Sequence, residues 1–292
     1  MPILHPLEPE NTIVFETDER TRREPRIQSA RRYLTDVARY CPNGVGEAVV
    51  KKIEHRKSSG APHHEFLLCY VQDCNVPTRL AVIRIERFNQ DDVTPDKGVP
   101  PALSPAALLS LDAMRSSSPS LFGKAVDLFT ITCDIDAKRS GDTLSTLIFD
   151  DNSDFTADEA AMICKIASEC ADEYNALGHQ CFWYAGVIYK IIQEIYSTSI
   201  AETQAEGNRR KGMGHGVKIP TQMFIPPEHA PKNLAQTHLQ RWPTWKADIE
   251  RVKQEKWGDG ELRRDRGLQQ ELNIKDKEIA ELRKRLKECT RA

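Results

Sequence analysis

The feature of the sequence that most restricts the fold is a change of hydrophobic period near residue 150. Before it, residues 65–71 and 80–88 are apolar stretches of strand length, and the second contains the alternating run Ile83-Arg84-Ile85-Glu86-Arg87. Such alternation is typical of a strand with one buried and one polar face. After it, apolar residues recur at helical spacing. This order predicts an α+β fold, in which an antiparallel sheet packs on two or three helices and a C-terminal coiled-coil helix follows.

Three further segments have the pattern of strands. They are residues 47–56, 125–133 and 143–149. The five-residue link between residues 74 and 78 is short enough to join the two central strands as an antiparallel hairpin. The sequence therefore predicts a sheet of at least five strands within residues 47–149.

The helices are indicated by apolar spacing and by their termini. Residues 26–40 have a helical pattern that the Pro42-Asn43-Gly44 turn ends. The run Thr156-Ala157-Asp158-Glu159 is a capping box that starts a helix reaching Tyr174. A second helix, over residues 181–197, is apolar almost all round. A helix without a polar face is normally buried in the middle of a domain.

The composition predicts a folded body with polar appendages. Of the 292 residues, 39% are hydrophobic and 29% are charged, which is a large charged share for one globule. We therefore divide the chain into a flexible arm at 1–25, an α+β body at 26–200 with a disordered insertion at about 89–122, an irregular linker at 201–245, and a charged helix or coiled coil at 246–292.

The charge balance and the cysteines limit the possible partners and compartments. The 41 Lys and Arg nearly balance the 43 Asp and Glu, so nucleic acid is an unlikely partner. No stretch approaches the roughly 18 apolar residues of a membrane span, and residues 1–10 lack the features of a secretory signal. The eight cysteines form no C-x-x-C pair, and no N-x-[ST] acceptor occurs. These features favour the cytoplasm, with the nucleus as the alternative, and free thiols.

Cys181 is the first candidate for a catalytic residue. It opens the most apolar helix, where unpaired backbone N–H groups and the helix dipole lower the pKa of a thiol and can bind an oxyanion. His64 is the best candidate base, because a strand that begins there can present its first side chain near Cys181. Glu86 on the neighbouring strand is the expected orienting group, and Arg84 is the alternative.

The order of these residues resembles that of the circularly permuted papain-like proteins, which include the lecithin:retinol acyltransferase-like and NlpC/P60-like families. The resemblance covers about residues 47–197, and His-Gln-Cys-Phe-Trp-Tyr-Ala around Cys181 roughly follows their Asn-Cys-x-x-Phe form. It implies that Cys181 is the nucleophile and His64 the base, with Glu86 third by its position in the hairpin. The implied activity is that of a cysteine-dependent hydrolase or acyltransferase acting on an amide, ester or thioester. The arrangement also resembles uncharacterised fungal proteins, which imply no activity.

A non-catalytic interpretation stands beside this one. A cysteine next to Phe182, Trp183 and Tyr184 is also typical of a core position, so the chain is alternatively an interaction or scaffold protein. A metal site is not expected. The candidate ligands are too irregularly spaced for any standard zinc pattern; they are His55, His63, His64, Cys69 and Cys74. We predict no metal and no cofactor.

The C-terminal segment contains a heptad seam. Its apolar positions are Leu268, Leu272, Ile279, Leu282 and Leu286, with Lys275 as a polar d position. A seam of about three heptads predicts a homodimer. The alternative is a solvated helix that docks on its own body.

Overall fold

The computed structural model describes residues 10–15, 24–58, 64–90, 122–133, 141–175, 180–205, 213–214, 217–218, 226–255 and 275. Two compact units divide the chain, residues 1–245 and 246–292. The first unit, which we call the body, contains the sheet. Of the second unit, the structure describes residues 246–255, which are helical, and residue 275.

The body is built on one antiparallel sheet. Its strands are β1 (Arg26–Gln28), β2 (Ala48–Lys57), β3 (Glu65–Asp73), β4 (Leu80–Asn89), β5 (Phe122–Thr132), β6 (Asp142–Phe149), β7 (Glu173–Asn175) and β8 (Ile200–Gln204). The order across the sheet is β1-β5-β4-β3-β2-β6-β8, and β7 pairs with β5. Two short strands, β9 (Met213–Gly214) and β10 (Val217–Lys218), pair with each other. The predicted hairpin of β3 and β4 therefore lies at the centre of the sheet.

Four α-helices accompany the sheet. They are α1 (Ala30–Tyr40), α2 (Ala157–Cys170), α3 (Cys181–Ile195) and α4 (residues 231–255), with 3-10 turns at Pro42–Gly44 and Pro227–His229. The Thr156 hydroxyl accepts from the Glu159 N–H at 3.3 Å, so the predicted capping residue does cap α2. Ser29 caps α1 in the same way, accepting from the Arg32 N–H at 3.2 Å.

The sheet separates two groups of buried side chains. The large core lies on the side that α1, α2 and α3 cover, and includes Leu67, Cys69, Ile83 and Ile85. We call this side the helix face. The other side, which we call the opposite face, has a smaller cluster of Phe66, Leu68 and Val82. Successive residues of a strand point to opposite faces, so these two sets alternate along β3 and β4.

The architecture confirms the predicted α+β class, an antiparallel sheet packed on helices. None of the helices among the described residues is long and apolar enough to cross a membrane. The predicted insertion falls almost wholly on residues 91–121, and the heptad seam on residues 268–289, which lie outside the described residues apart from Lys275.

Two expectations about the N-terminal part are wrong. Residues 11–15 are not a loose arm, because Val14 and Phe15 are buried in the core. Residues 26–28 are not the first turn of a helix, because they pair with β5 at the edge of the sheet, with Ile27 opposite Thr130. The apolar spacing of residues 26–40 does not distinguish a short strand followed by a capped helix from one continuous helix.

Two expectations about the C-terminal half of the body are also wrong. Helix α2 ends at Cys170 instead of continuing to Tyr174, because residues 173–175 pair with β5. Of the expected irregular linker at 201–245, residues 201–204 and 231–245 are regular. Strand β8 pairs with β6, and α4 begins at Pro231. Proline is well suited to the first position of a helix, because the N–H that it lacks would have no partner within the helix there.

Candidate functional site

His64 and Glu86 meet on the opposite face of the sheet. The backbone of His64 is fixed just before β3, since its N–H donates to the Ser58 hydroxyl at 2.9 Å and its carbonyl accepts from the Ser58 N–H at 2.8 Å. The His64 Nε2 lies 3.1 Å from Glu86 Oε2 on β4. The imidazole stacks on Phe88, with the ring centroids 4.7 Å apart. Both side chains of this pair are buried.

The guanidinium of Arg84 also binds the carboxylate of this pair. It donates to the same Glu86 oxygen, from Nε at 2.9 Å, and lies over the Phe66 ring at 4.1 Å. Burial of Glu86 disfavours its charged form, but the Arg84 charge and the His64 hydrogen bond outweigh burial and lower the pKa of Glu86 to about 2. Glu86 is therefore a permanent carboxylate that holds His64, and Arg84 acts on Glu86 rather than replacing it as the orienting group.

A second carboxylate lies on the same face, on β2. Glu54 accepts hydrogen bonds from Lys52 at 2.8 Å, from Arg56 at 3.0 Å and from the Tyr70 hydroxyl at 3.0 Å. The Lys52 ammonium also lies 3.8 Å from the centroid of the Tyr70 ring. The charges of this face thus pair with one another across β2, β3 and β4.

A separate set of charges lies on the helix face at the same end of the sheet. Glu65 accepts from Lys57 at 3.0 Å and lies 3.0 Å from His55 Nε2, and all three side chains are fully buried. Arg87 donates to both carboxylate oxygens of Asp127, at 2.6 and 2.7 Å. We call Asp127, Arg87, Glu65 and Lys57 the charge row, because they alternate in sign across β5, β4, β3 and β2.

Sequence reasoning missed the charge row. A signal was present, since Glu65 begins an apolar stretch and Arg87 ends an alternating one. Because charged residues are rarely buried without a partner, a charge at the end of each buried strand predicts a counter-ion on a neighbouring strand. The signal does not reveal that this end of the sheet is buried beneath α3.

Cys181 is on the helix-face side of the sheet. It is the first residue of α3 and is 9% exposed, and the N-cap residue Gln180 makes no side-chain capping bond. The first turn of α3 packs on the helix face, since the Arg87 guanidinium lies 5.2 Å from the Trp183 ring centroid and 4.6 Å from that of Tyr184.

The structure therefore brings together His64 and Glu86 but places Cys181 on the other side of the sheet. The expectation that β3 presents its first side chain to Cys181 stays a prediction, and the alternation of β3 shows where its first two side chains point. Glu65 points to the helix face, and His64 points away from it with Phe66 and Phe88. A base must reach the proton it abstracts, directly or through one water, so His64 serves Cys181 only if the thiol reaches the opposite face.

The described residues contain no group of three or more His, Cys, Asp or Glu side chains placed to hold a metal ion. None of the seven described cysteines, all except Cys289, forms a disulfide. Burial raises the pKa of Cys69 to about 12 and that of Cys170 to about 11, so these two thiols are not activated.

Comparisons with known proteins add no relative. No protein-family model matches the chain, no curated protein matches it, and no solved structure matches it. The similarity to the circularly permuted papain-like proteins therefore depends on the residues quoted above.

Proposed function

We propose that the chain is a non-catalytic interaction protein, in which the body is a rigid platform and the C-terminal segment self-associates. The observation that carries the proposal is that the His64 imidazole lies on the opposite face with Glu86 and Phe88, whereas the first turn of α3, which Cys181 begins, packs on the helix face. Nucleophilic catalysis by a thiol needs a base within hydrogen-bond reach, and His64 is committed to Glu86 and Phe88.

The internal pairing of the charges supports the same proposal. On the opposite face, Glu86 and Glu54 are each matched by at least one cation. On the helix face, the charge row is buried and paired. Charges that satisfy one another fix the sheet and leave it rigid, as expected of a platform.

The partner in this proposal is a second copy of the chain. The apolar seam that would meet its counterpart is Leu268, Leu272, Ile279, Leu282 and Leu286. The lack of disulfides among the seven described cysteines supports a reducing compartment, which we take to be the cytoplasm or the nucleus.

Thiol labelling separates this function from the cysteine-dependent hydrolase or acyltransferase. The full chain is treated with a limiting thiol-directed electrophile, and the modified cysteines are identified by mass spectrometry. Cys74 is exposed and serves as the reference, while Cys164 in the core gives the background. We expect Cys181 to react no faster than Cys74, and His64→Gln to leave its rate unchanged. Selective labelling of Cys181 that Cys181→Ser abolishes would overturn the proposal.

Light scattering tests the association. We expect the full chain to be a dimer and Ile279→Asp to be a monomer, because the substitution buries a charge without a partner at the central a position. Lys284→Asp is the matched control, since it introduces the same group at the outward f position of the same heptad. A monomeric unmodified chain would contradict the homodimer.

A further inference from the structure

Three segments of the body meet at one buried carboxyl group, that of Asp158. This residue lies in the first turn of α2 and is fully buried. Its Oδ1 accepts from the Tyr33 hydroxyl of α1 at 2.8 Å, and its Oδ2 accepts from the Gly46 N–H at 2.9 Å, in the turn before β2. Each carboxylate oxygen thus faces the hydrogen of a neutral donor.

Asn11 links this carboxyl group to the N-terminal segment of residues 11–15. Its N–H donates to Glu47 Oε2 at 2.8 Å, and its amide nitrogen lies 3.4 Å from the Gly44 carbonyl and 3.5 Å from the Tyr33 hydroxyl oxygen. Gly44 approaches so closely that a Cβ there would be 2.4 Å from the Asn11 nitrogen. The position of residues 11–15 therefore depends on Tyr33 and on the turn at residues 44–47.

The groups around Asp158 do not compensate its charge. The titratable groups near it are Tyr33 and Cys41 at α1, Glu47 in the turn, and Glu159 beside it on α2. Glu159 in turn accepts from the Tyr196 hydroxyl and pairs with the imidazole of His238 on α4. None of the described residues forms an ion pair with Asp158.

We propose that Asp158 is a proton-controlled clasp for residues 11–15, which holds the segment when it is ionised and loosens it when it is protonated. The two possible positions of the added proton give the reason. A proton on Oδ2 meets the Gly46 N–H and breaks that bond, which releases the turn that contacts Asn11. A proton on Oδ1 makes Tyr33 an acceptor, and the Tyr33 hydrogen must then turn toward the Asn11 amide, which is itself a donor.

The device operates in a mildly acidic range. Burial disfavours the carboxylate and raises the pKa of Asp158 to about 6, despite the opposing hydrogen bonds from Gly46 and Tyr33. An exposed aspartate titrates near 3.8. This behaviour goes beyond the proposed interaction function, since it concerns residues that the heptad seam does not include.

Hydrogen exchange of the full chain tests the clasp. Exchange of the amides of residues 11–15 is followed by mass spectrometry at several pH values and corrected for the intrinsic effect of pH. We expect protection to fall on acidification with a midpoint close to 6. A midpoint near 4, or protection that does not change, would overturn the proposal.

Two variants sharpen this experiment. In Asp158→Asn, the amide NH2 faces the Gly46 N–H as the protonated acid does, so we expect low protection of residues 11–15 at all pH values. Asp151→Asn is the matched control, because that carboxyl group is fully exposed, and it should retain the wild-type pH profile. If Asp158→Asn does not fold, the midpoint of the unmodified chain still decides between the outcomes.

Discussion

Glu86 and Asp158 are both buried carboxyl groups, yet their surroundings shift them in opposite directions. Glu86, on the opposite face of the sheet, has the Arg84 guanidinium and the His64 imidazole beside it, and its pKa falls to about 2. Asp158, between α1 and α2, has a hydroxyl and backbone N–H groups but no ion-pair partner among the described residues, and its pKa rises to about 6. The comparison shows that burial alone does not decide the protonation of an acid in this protein. A neighbouring cation does.

The same difference reverses the effect of pH on stability. The pKa of Glu86 is lower in the folded chain than its ordinary value of 4.5, so its contribution is present above that value and is lost as the pH falls toward 2. The pKa of Asp158 is higher than its ordinary value of 3.8, so the folded state gains stability as the pH falls through 6 toward that value.

The largest effect is expected from Glu86→Gln. The substitution keeps the size of the side chain but leaves Arg84 and His64 without their carboxylate, and should lower the free energy of unfolding by about 3 kcal/mol at pH 7. Urea unfolding measures the loss. The difference from wild type should shrink as the pH approaches 2, because the native carboxyl group then becomes protonated as well. An equally large difference at low pH would mean that the charge is not the cause.

Arg84→Met should have a smaller effect that tests the role of the cation directly. The Arg84 side chain is 24% exposed, so solvent screens part of its charge, and we expect a loss of about 1–2 kcal/mol at pH 7. The acid-induced loss of stability should also begin at a higher pH, because the pKa of Glu86 rises without its cation. An unchanged acid profile in urea would show that His64 alone sets this pKa.

The Asp158 region should respond to pH with the opposite sign. Between pH 7 and pH 5, its protonation should stabilise the body against global unfolding by about 1 kcal/mol, because the unfolded chain binds that proton less tightly, while residues 11–15 loosen locally. Because other groups titrate in the same range, the measurement is the difference between wild type and Asp158→Asn in urea unfolding. A difference that does not vary with pH would show that Asp158 keeps an ordinary pKa despite its burial.

The smallest effect is expected at Lys52. Its side chain is 33% exposed, and its bond to Glu54 is one of three that this carboxylate accepts. Lys52→Met should therefore change the free energy of unfolding by less than about 1 kcal/mol. Thermal unfolding at low and high salt provides the check, and a loss as large as that of Glu86→Gln would mean that exposure does not weaken these pairs.

Local patterns in the sequence were sufficient for most of the strands and for one contact of the site. The alternation around Ile83 and Ile85 and the turn between β3 and β4 predict the central hairpin, and the pairing of His64 with Glu86 follows from it. The side of the sheet on which His64 lies does not. Residues 66–69 are all apolar, so the alternation of β3 cannot be read from the sequence.

The remaining errors concern pairings between distant segments. The sequence predicts the end of a helix at β7 and part of a linker at β8, because each strand is short and becomes regular only by pairing with β5 or β6. The prediction of a loose arm at residues 11–15 fails for the same reason. Their burial depends on Asn11 contacting Gly44 and Glu47, more than 30 positions along the chain.

The charge row disfavours incorrect registers of the central strands. If β3 slipped by one residue against its neighbours, every one of its side chains would exchange faces. Glu65 would leave Lys57, and His64 would enter the hydrocarbon beneath α3. Such a misaligned sheet would bury unpaired charges on the helix face and leave Glu86 without its partner on the opposite face. The buried ions therefore disfavour a one-residue shift of register, which apolar side chains of similar size would tolerate.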